Sequence, residues 1–359
     1  MPPEPLSLVA SLPLGAPVAT VRFHPNRRIL VAALAGKPEL RFVRYDKQDH
    51  IDAGARVDLS GEPFDAIALS PARDLFVTCG RGRRTEAWDT DLPSRKPKSE
   101  LAWADATALG FVRKGEVLVL GLDRRALVLE HVEFRRIGEM TTTGLAAAVA
   151  QHSEKRVFVV AATVEGGADV FFGRVGLKER ALRFSQHDVR YAVGFPVRAA
   201  GFSHDGRTLA LVGGTGGAEI ETVAFPPLRR RVRRRTIEGA PGAPGAADGV
   251  AFDPTGSAFW LGDPTGHLSL VDVGTGEVLT RIAAHDGPVT SLDVRYTRRM
   301  VATAGADGFV KLWELPDAPP SRSYSEEAAR PITEEFKAWH PLWDGTNGAT
   351  MRALGSRDP

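Results

Sequence analysis

The chain has 359 residues, of which 43% are hydrophobic and 25% charged, and its formal net charge is +2. This composition excludes disorder of the whole chain. The small net charge excludes an overall electrostatic attraction of the protein to nucleic acid or to acidic membranes. The single cysteine, Cys79, excludes an intrachain disulfide and a multi-cysteine zinc site, which favours a reducing compartment.

The N-terminal stretch is apolar but carries Glu4 and has no Lys or Arg before it, so it makes a poor secretory signal. We predict that residues 6–12 form a strand. No window of the chain approaches the roughly 18 uncharged apolar residues of a membrane span, which indicates a cytoplasmic protein without membrane contact. A high content of Ala, Gly, Arg and Pro is typical of a GC-rich bacterial source.

Seven segments along the chain share one pattern, in which an apolar anchor residue stands just before a turn. Their spacings of about 39 to about 52 residues are close to the roughly 40–45 residues of a four-stranded propeller blade with loop insertions. The pattern therefore predicts seven blades. The anchors are Phe23, Leu69, Phe111, Ala150, Phe202, Phe252 and Val294.

Proline supports this register. Pro17, Pro63, Pro196 and Pro288 each stand six residues before an anchor, where a fixed φ suits the entry of a strand and no ladder N–H is required. Four coincidences at one register are hard to obtain by chance.

The segment from His285 to Leu315 carries the clearest repeat. Three short apolar runs alternate with turn signals, and Asp307-Gly308 supplies a tight hairpin turn between the last two runs. This segment resembles a WD40 repeat, with Trp313-Glu314 standing where the family has Trp-Asp. The resemblance implies that a structural hydrogen-bonding tetrad forms from His285, Thr303, Asp307 and Trp313.

Other segments resemble the family less closely. Trp88-Asp89 and Thr78 have the spacing of the last repeat, but Gly82 replaces the turn aspartate. The resemblance covers residues 6–315 and implies an all-β fold, a seven-bladed β-propeller closed by the N-terminal strand. Residues 1–315 are predicted to form the propeller, and residues 316–359 a linker and a C-terminal tail.

No residue pattern predicts catalysis, a metal site or a cofactor. Ser203, His204 and Asp205 are consecutive, so their side chains point apart and suit a hairpin turn rather than a triad. The glycine-rich stretch 213–219 lacks the Lys-Ser/Thr of a phosphate-binding loop and is interpreted as a hairpin loop. We therefore expect no enzyme activity, although loops at a propeller channel could bring distant carboxylates together.

The sharpest local anomaly is a run of arginines on a predicted outer strand. One interpretation is an edge protected against strand addition, and the other is a dock for an acidic protein or for phosphate, including nucleic acid. The run lacks interleaved aromatic residues, so any nucleic-acid contact would involve the backbone and depend strongly on salt. Its members are Arg229, Arg230, Arg231, Arg233, Arg234 and Arg235.

The C-terminal tail is the second anomaly. One short helix is predicted from Thr333 to Trp339, and the aromatic residues Phe336, Trp339 and Trp343 either pack across the propeller or anchor a partner. Both interpretations stay open. Further candidates for partner contact are predicted on loops at the face that carries the strand-entry prolines, namely Trp103, Asp105, Phe195, Arg198 and Asp286.

Three functions are compatible with these patterns. The favoured one is a non-catalytic scaffold or adaptor that mediates protein–protein interactions as a subunit of a larger complex, which is what the resemblance implies. The alternatives are nucleic-acid or acidic-partner binding through Arg229–Arg235, and an enzyme with a site in the central channel.

Overall fold

The computed structural model describes residues 6–46, 50–58, 61–90, 97–112, 115–152, 157–179, 181–203, 205–225, 229–237, 247–253 and 255–315, with backbone alone for residues 229–235. Throughout these ranges the chain is all-β and contains no α-helix; a 3-10 turn covers Tyr296–Arg298. No helix in the described part of the chain is long and apolar enough to cross a membrane.

Five sheets have four antiparallel strands each. The first contains β2 (Val18–Phe23), β3 (Ile29–Leu34), β4 (Glu39–Tyr45) and β5 (Ile51–Asp58). The second contains β6 (Ala66–Leu69), β7 (Leu75–Cys79), β8 (Arg84–Asp89) and β9 (Ser99–Ala104). The third contains β17 (Val197–Phe202), β18 (Thr208–Gly213), β19 (Ala218–Ala224) and β20 (Arg229–Ile237).

The remaining two four-stranded sheets lie at the end of the chain. One contains β21 (Val250–Phe252), β22 (Ala258–Gly262), β23 (His267–Asp272) and β24 (Val278–Ala283). The other, here called the closing sheet, contains β25 (Val289–Arg295), β26 (Met300–Gly305), β27 (Phe309–Glu314) and the N-terminal strand β1 (Ser7–Pro13).

One larger sheet has seven strands. Its central strand β13 is 16 residues long, and its two halves have different partners. Arg136 to Thr141 pairs with β12, whereas Leu145 to Gln151 pairs with β14. The strands are β10 (Ala108–Val112), β11 (Val117–Gly121), β12 (Asp123–Glu130), β13 (Arg136–Gln151), β14 (Val157–Val164), β15 (Gly167–Lys178) and β16 (Ala181–Val193).

The first strands of the six sheets and the central strand β13 contact one another in a ring that runs β2, β6, β10, β13, β17, β21, β25 and back to β2. This is a β-propeller arrangement. The prediction of seven separate blades was wrong, because the described residues form five four-stranded blades and one seven-stranded sheet. The reason lies in Thr141–Thr143, three β-branched residues that favour extended backbone, so no loop interrupts β13.

The predicted anchors lie within or at the ends of the ring strands, from Phe23 in β2 to Val294 in β25. Pro17 and Pro288 directly precede β2 and β25, which agrees with their interpretation as strand-entry residues. Apolar side chains between adjacent sheets form the core. One cluster, for example, joins Val31 and Phe42 of the first sheet to Ile67 and Trp88 of the second.

The N-terminal strand closes the ring. β1 pairs antiparallel with β27, from Ser7 opposite Glu314 to Pro13 opposite Phe309. The backbone N–H of Leu14 then donates to the carbonyl of Gly308 at 2.8 Å. The buried side chain of Leu6 packs in one cluster with Trp313 and Leu315. The closing sheet is thus built from both ends of the propeller, as the resemblance implied.

The two halves of the seven-stranded sheet are also joined face to face. The Gln186 side chain accepts a hydrogen bond from the Thr141 N–H and donates one to the Thr141 carbonyl, both at 2.8 Å. Nearby, a Cβ built on Gly138 would lie 2.4 Å from the ring of Phe184. Only glycine permits this approach, so β13 and β16 are held against each other by two independent contacts.

One buried histidine makes the stability of the fold depend on pH. His131 is 2% exposed, its ring lies 5.0 Å from that of Phe111, and its Nε2 has no hydrogen-bond partner among the described residues. Burial lowers the pKa of His131 from 6.5 to about 4. In this range the unfolded chain binds a proton that the folded chain does not, so stability falls as pH decreases from 6.5 towards 4.

Between about pH 7 and about pH 5, we expect His131→Phe to reduce this loss in the free energy of unfolding by about 2 kcal/mol. The measurement is urea unfolding at about pH 7 and about pH 5. Burial also lowers the pKa of His187 to about 4, so some pH dependence is expected to stay. Val132 provides the control, because it is exposed beside His131 and carries no titratable group, so Val132→Phe should leave the slope unchanged. An unchanged slope in His131→Phe would contradict this assignment.

Candidate functional site

The closing sheet brings the four predicted tetrad residues into one hydrogen-bonded chain. The Trp313 Nε1–H donates to Thr303 Oγ1 at 2.9 Å, and Thr303 Oγ1 lies 2.9 Å from His285 Nε2. The other ring nitrogen, Nδ1, lies 2.9 Å from Asp307 Oδ1. Since the carboxylate can only accept, Nδ1 carries the proton and donates to Asp307. In the neutral ring Nε2 then accepts from the Thr303 hydroxyl, which in turn accepts from the tryptophan.

This chain joins parts of the repeat that are distant in sequence. His285 precedes β25, Thr303 lies on β26, Asp307 forms the turn and Trp313 lies on β27. Burial lowers the pKa of His285 although Asp307 acts in the opposite direction, which favours the neutral ring that the hydrogen bonds require. The sequence Asp–His–hydroxyl has the order of a catalytic triad, but Thr303 is 0% exposed and cannot meet a substrate.

The second sheet contains part of the same arrangement. The Trp88 Nε1–H donates to Thr78 Oγ1 at 2.9 Å. At the β7–β8 turn, two carboxylates replace the missing turn aspartate: Asp65 accepts the Arg81 N–H and Asp105 accepts the Gly82 N–H, both at 2.8 Å. Sequence reasoning missed Asp65 and named Asp105 only as a candidate for partner contact, because neither stands at the repeat position of Asp307.

A buried carboxylate that sequence reasoning also missed organises the β22–β23 turn. Asp263 is 0% exposed and accepts hydrogen bonds from the Thr265 hydroxyl at 2.7 Å and from the His267 N–H at 3.1 Å. The Arg281 guanidinium of β24 lies 2.8 Å from it. The turn sequence Asp-Pro-Thr-Gly was the available signal, since aspartate at the start of a turn commonly accepts its N–H groups.

A polar network crosses the ring between its first and last sheets. The Arg22 Nη2–H donates to Asp248 Oδ2 at 2.9 Å, and the Nη1–H donates to Ser291 Oγ at 2.9 Å. Asp293 accepts the Phe23 N–H at 2.7 Å, and burial raises the pKa of Asp293. These partners are separated by up to 270 residues, so no local motif signals them. Arg22 and Asp293 also line a cavity of about 310 Å³.

Within the described part of the chain, the predicted partner-contact residues lie in different surroundings. Asp286 is exposed next to the tetrad, and its N–H donates to Asp307 Oδ2 at 3.1 Å. Trp103 is half-buried on β9 and packs against the core of the second sheet. The prediction for Phe195 needs correction: this ring is 1% exposed within the core between two sheets and offers no surface to a partner. An apolar loop residue was mistaken for a surface residue.

The arginine run lies on β20, the last strand of its sheet, as the sequence predicted. Its backbone pairs with β19, with Arg230 opposite Val223 and Arg235 opposite Ile220. Its side chains lie outside the described part of the chain. The tail residues Phe336, Trp339 and Trp343 also lie outside the described residues.

The residues considered for chemistry have structural positions. Ser203 Oγ donates to Asp205 Oδ1 at 2.6 Å and accepts the Thr208 N–H at 3.0 Å, which is a hairpin turn between β17 and β18. His204 lies outside the described residues. The described part of the chain holds no group of three His, Cys, Asp or Glu side chains that could bind a metal ion.

The comparisons with known proteins match short stretches of this chain. The family model "WD domain, G-beta repeat" matches residues 276–314, which cover β24 to β27. WD repeat-containing protein 3 of Mus musculus is 40% identical over 64 residues, which are 18% of this chain and 7% of the mouse protein. WD repeat-containing protein 3 of Homo sapiens is 38% identical over 64 residues, again 7% of its length.

An uncharacterized WD repeat-containing protein of Acanthamoeba polyphaga mimivirus is 35% identical over 66 residues, or 12% of its length. The matched segments thus span about a tenth of these relatives or less. The three relatives come from two mammals and a virus, and a bacterial origin stays a prediction. The tetrad lies within the matched residues, and residues 276–314 of this chain are a WD40 repeat.

Proposed function

We propose that the protein is a non-catalytic adaptor that binds other proteins and works in the cytoplasm as a subunit of a larger complex. The observation that carries this proposal is the WD40 repeat at residues 276–314, since WD40 domains generally bind other proteins. In this repeat the polar side chains of the tetrad form hydrogen bonds with one another, and these bonds hold the strands and the turn together. Recognition then falls to exposed residues on the turns and edges.

The test is affinity purification of the tagged, nuclease-treated protein, followed by size-exclusion chromatography. We expect at least one protein to co-elute in stoichiometric amount. The experiment is repeated with the chain cut after Asp317 and with the full-length variant Asp286→Lys, which reverses an exposed charge beside the tetrad turn. Loss of the partner in either variant assigns the contact to that segment. A protein that elutes alone, and that carries a bound metal in elemental analysis, would favour the central-channel enzyme instead.

We also propose a second candidate function, binding of an acidic protein or nucleic acid at the β20 edge. It is supported by the position of the Arg229–Arg235 run on the last strand of its sheet, where one backbone edge pairs with β19 and the other faces away from the sheet. Six guanidinium groups in seven positions exceed what protection of a strand edge requires.

Neutralising three of these arginines, as Arg229→Gln, Arg231→Gln and Arg234→Gln, should flatten the salt dependence of binding to a short DNA duplex. We expect the slope of log K against log salt to decrease by roughly three, because each phosphate contact contributes about 0.9. Fluorescence anisotropy at several salt concentrations measures it. The control neutralises Arg84, Lys178 and Arg183, which are exposed elsewhere. An equal decrease in both triple variants, or none in either, removes this function.

A further inference from the structure

A cavity of about 440 Å³ opens between the second sheet and the seven-stranded sheet, and no sequence pattern pointed to it. We call it the turn cavity, because the β7–β8 turn and the β11–β12 turn form its two sides. It is lined by Arg81, Ala104, Asp105, Thr107, Leu122, Asp123, Arg125 and Leu145.

The lining combines apolar side chains with two guanidinium groups. Leu122 and Leu145 supply aliphatic surface, whereas Arg81 and Arg125 come from the turns of adjacent sheets. Arg81 is exposed and has no ion-pair partner among the described residues. The guanidinium of Arg125 is about half exposed and lies 3.9 Å from Glu139, a long and solvent-screened contact. Both arginines can therefore accept a new carboxylate partner.

Two carboxylates also line the cavity, and they complement a peptide backbone. Asp105 already accepts the Gly82 N–H at 2.8 Å and is fixed in place by it. Asp123 is exposed at the start of β12. Peptide N–H groups are the natural donors for such oxygens, as the Gly82 N–H illustrates. Because the lining carries no aromatic side chain for base stacking, a peptide fits it better than a nucleotide.

The backbone at this cavity is held in an unfavourable conformation. Arg124 has a φ of +56° and Asp105 a φ of +60°, values that side chains with a Cβ rarely adopt. In the β3–β4, β7–β8 and β26–β27 turns, glycine takes the positive φ instead, at Gly36, Gly82 and Gly308. The exposed Arg124, which lies between the lining residues Asp123 and Arg125, thus occupies a position where other turns of the propeller have glycine. Strain of this kind is typical of functional sites.

We propose that the turn cavity binds an extended peptide segment of a partner protein in which a carboxylate side chain stands next to an aliphatic one. The carboxylate pairs with Arg81 and Arg125, and the aliphatic side chain packs on Leu122 and Leu145. This inference rests on the proposed adaptor function and assigns to it one surface and one class of ligand.

The experiment starts from a display library of random linear peptides selected on the full chain. We expect enrichment of sequences with Asp or Glu beside Leu, Ile or Val. The best sequence is then synthesised with a fluorophore, and its Kd is measured by anisotropy. The variant R81E/R125E should bind it at least about tenfold more weakly, since two charge-assisted contacts become repulsive. Equal affinity of wild type and R81E/R125E would overturn the proposal.

The matched control is K178E/R183E, which makes the same change of charge at two exposed residues of the β15–β16 hairpin. Its Kd should stay within about twofold of wild type, because neither residue lines the cavity and the exposed charges of both are screened by solvent. Parallel weakening of both variants would mean a general charge effect and would overturn the proposal. Urea unfolding of both variants confirms that each is folded.

Substitutions at Arg124 separate binding from stability. Arg124→Gly removes the unfavourable φ, so we expect Tm to rise by about 2 °C while the peptide binds about threefold more weakly. Arg124→Lys keeps both the charge and the strain, so neither quantity should change. If Arg124 had only a structural role, Arg124→Gly would not combine a gain in Tm with a loss of affinity. A gain in Tm at unchanged affinity would show that Arg124 does not contribute to peptide binding.

Failure here and failure of the adaptor function are distinguishable. If affinity purification yields a stoichiometric partner that R81E/R125E retains, the adaptor function stands and the turn cavity is not its site. If removal of residues 316–359 tightens peptide binding by more than about tenfold, the tail of this chain occupies the cavity, and the proposal of a partner segment is overturned.

Discussion

Removal of residues 1–13 should lower Tm by about 10 °C. The deletion removes β1, exposes the backbone edge of β27 over six residue pairs and takes Leu6 out of the cluster with Trp313. Burial of Leu6 and Leu12 together with the lost ladder hydrogen bonds contributes on the order of 5 kcal/mol. That is a large fraction of the roughly 5–15 kcal/mol by which most domains are stable. Differential scanning calorimetry measures the shift.

A shorter deletion provides the control. Removal of residues 1–5 leaves β1 complete, so Tm should stay within about 1 °C of the full chain. If the longer deletion does not fold alone, a synthetic peptide of residues 6–14 added in trans should restore a cooperative transition, because it supplies the missing strand. An unchanged Tm after removal of residues 1–13 would show that closure by β1 contributes nothing to stability.

Thr303→Val should destabilise the protein by about 3 kcal/mol, and Thr78→Val by about half as much. Thr303 serves two buried groups, the Trp313 Nε1–H and His285 Nε2, whereas Thr78 serves the Trp88 Nε1–H. Valine keeps the shape of threonine and removes only the hydroxyl. Each buried polar atom left without a partner costs about 1–3 kcal/mol, so the two variants should differ by the contribution of the histidine.

Urea unfolding at one pH compares the two variants directly. Both threonines are 0% exposed and lie on the second strands of their sheets, so differences in packing and solvation largely cancel. The variant Thr303→Ser keeps the hydroxyl and should lose clearly less stability than Thr303→Val. Equal costs for Thr303→Val and Thr78→Val would show that the hydrogen bond to His285 adds nothing.

The ring of the propeller could be predicted because its signals are local. An anchor such as Phe23 or Phe252 ends a ring strand next to a turn, and a proline such as Pro288 marks a strand entry, so spacing alone orders the sheets. The tetrad was likewise legible, since its four residues fall within one repeat of about 30 residues. Contacts between residues of the same repeat can therefore be predicted from the sequence of that repeat.

The count of separate blades and most of the polar contacts were not predictable in the same way. The continuity of β13 depends on the absence of a break at Thr141–Thr143, and a pattern built on turn residues has no signal for a turn that does not form. Arg22 and Asp248 meet across 226 residues, and Asp65 and Asp105 replace a missing aspartate from outside its turn. Such contacts arise only from the closed ring.

For the candidate binding surfaces too, the sequence does not predict what depends on contacts between different sheets. Phe195 was predicted to contact a partner because it stands in a loop beside the strand-entry Pro196, but its apolar ring is buried in the core between two sheets. The turn cavity escaped detection because Arg81 and Arg125 come from different sheets, and neither turn sequence is unusual by itself. A surface assembled from neighbouring turns has no counterpart in a single stretch of chain.

The undivided strand β13 has a mechanical consequence. In a propeller whose sheets are joined by loops, each sheet can tilt slightly against the next, because the loops absorb the change in backbone angles. Here no loop interrupts β13: its first half, which pairs with β12, continues directly into its second half, which pairs with β14. The Thr141–Gln186 hydrogen bonds join β13 to β16 as well. We therefore expect the seven-stranded sheet to move as one unit and any opening of the ring to occur at the loop-joined sheets on either side of it.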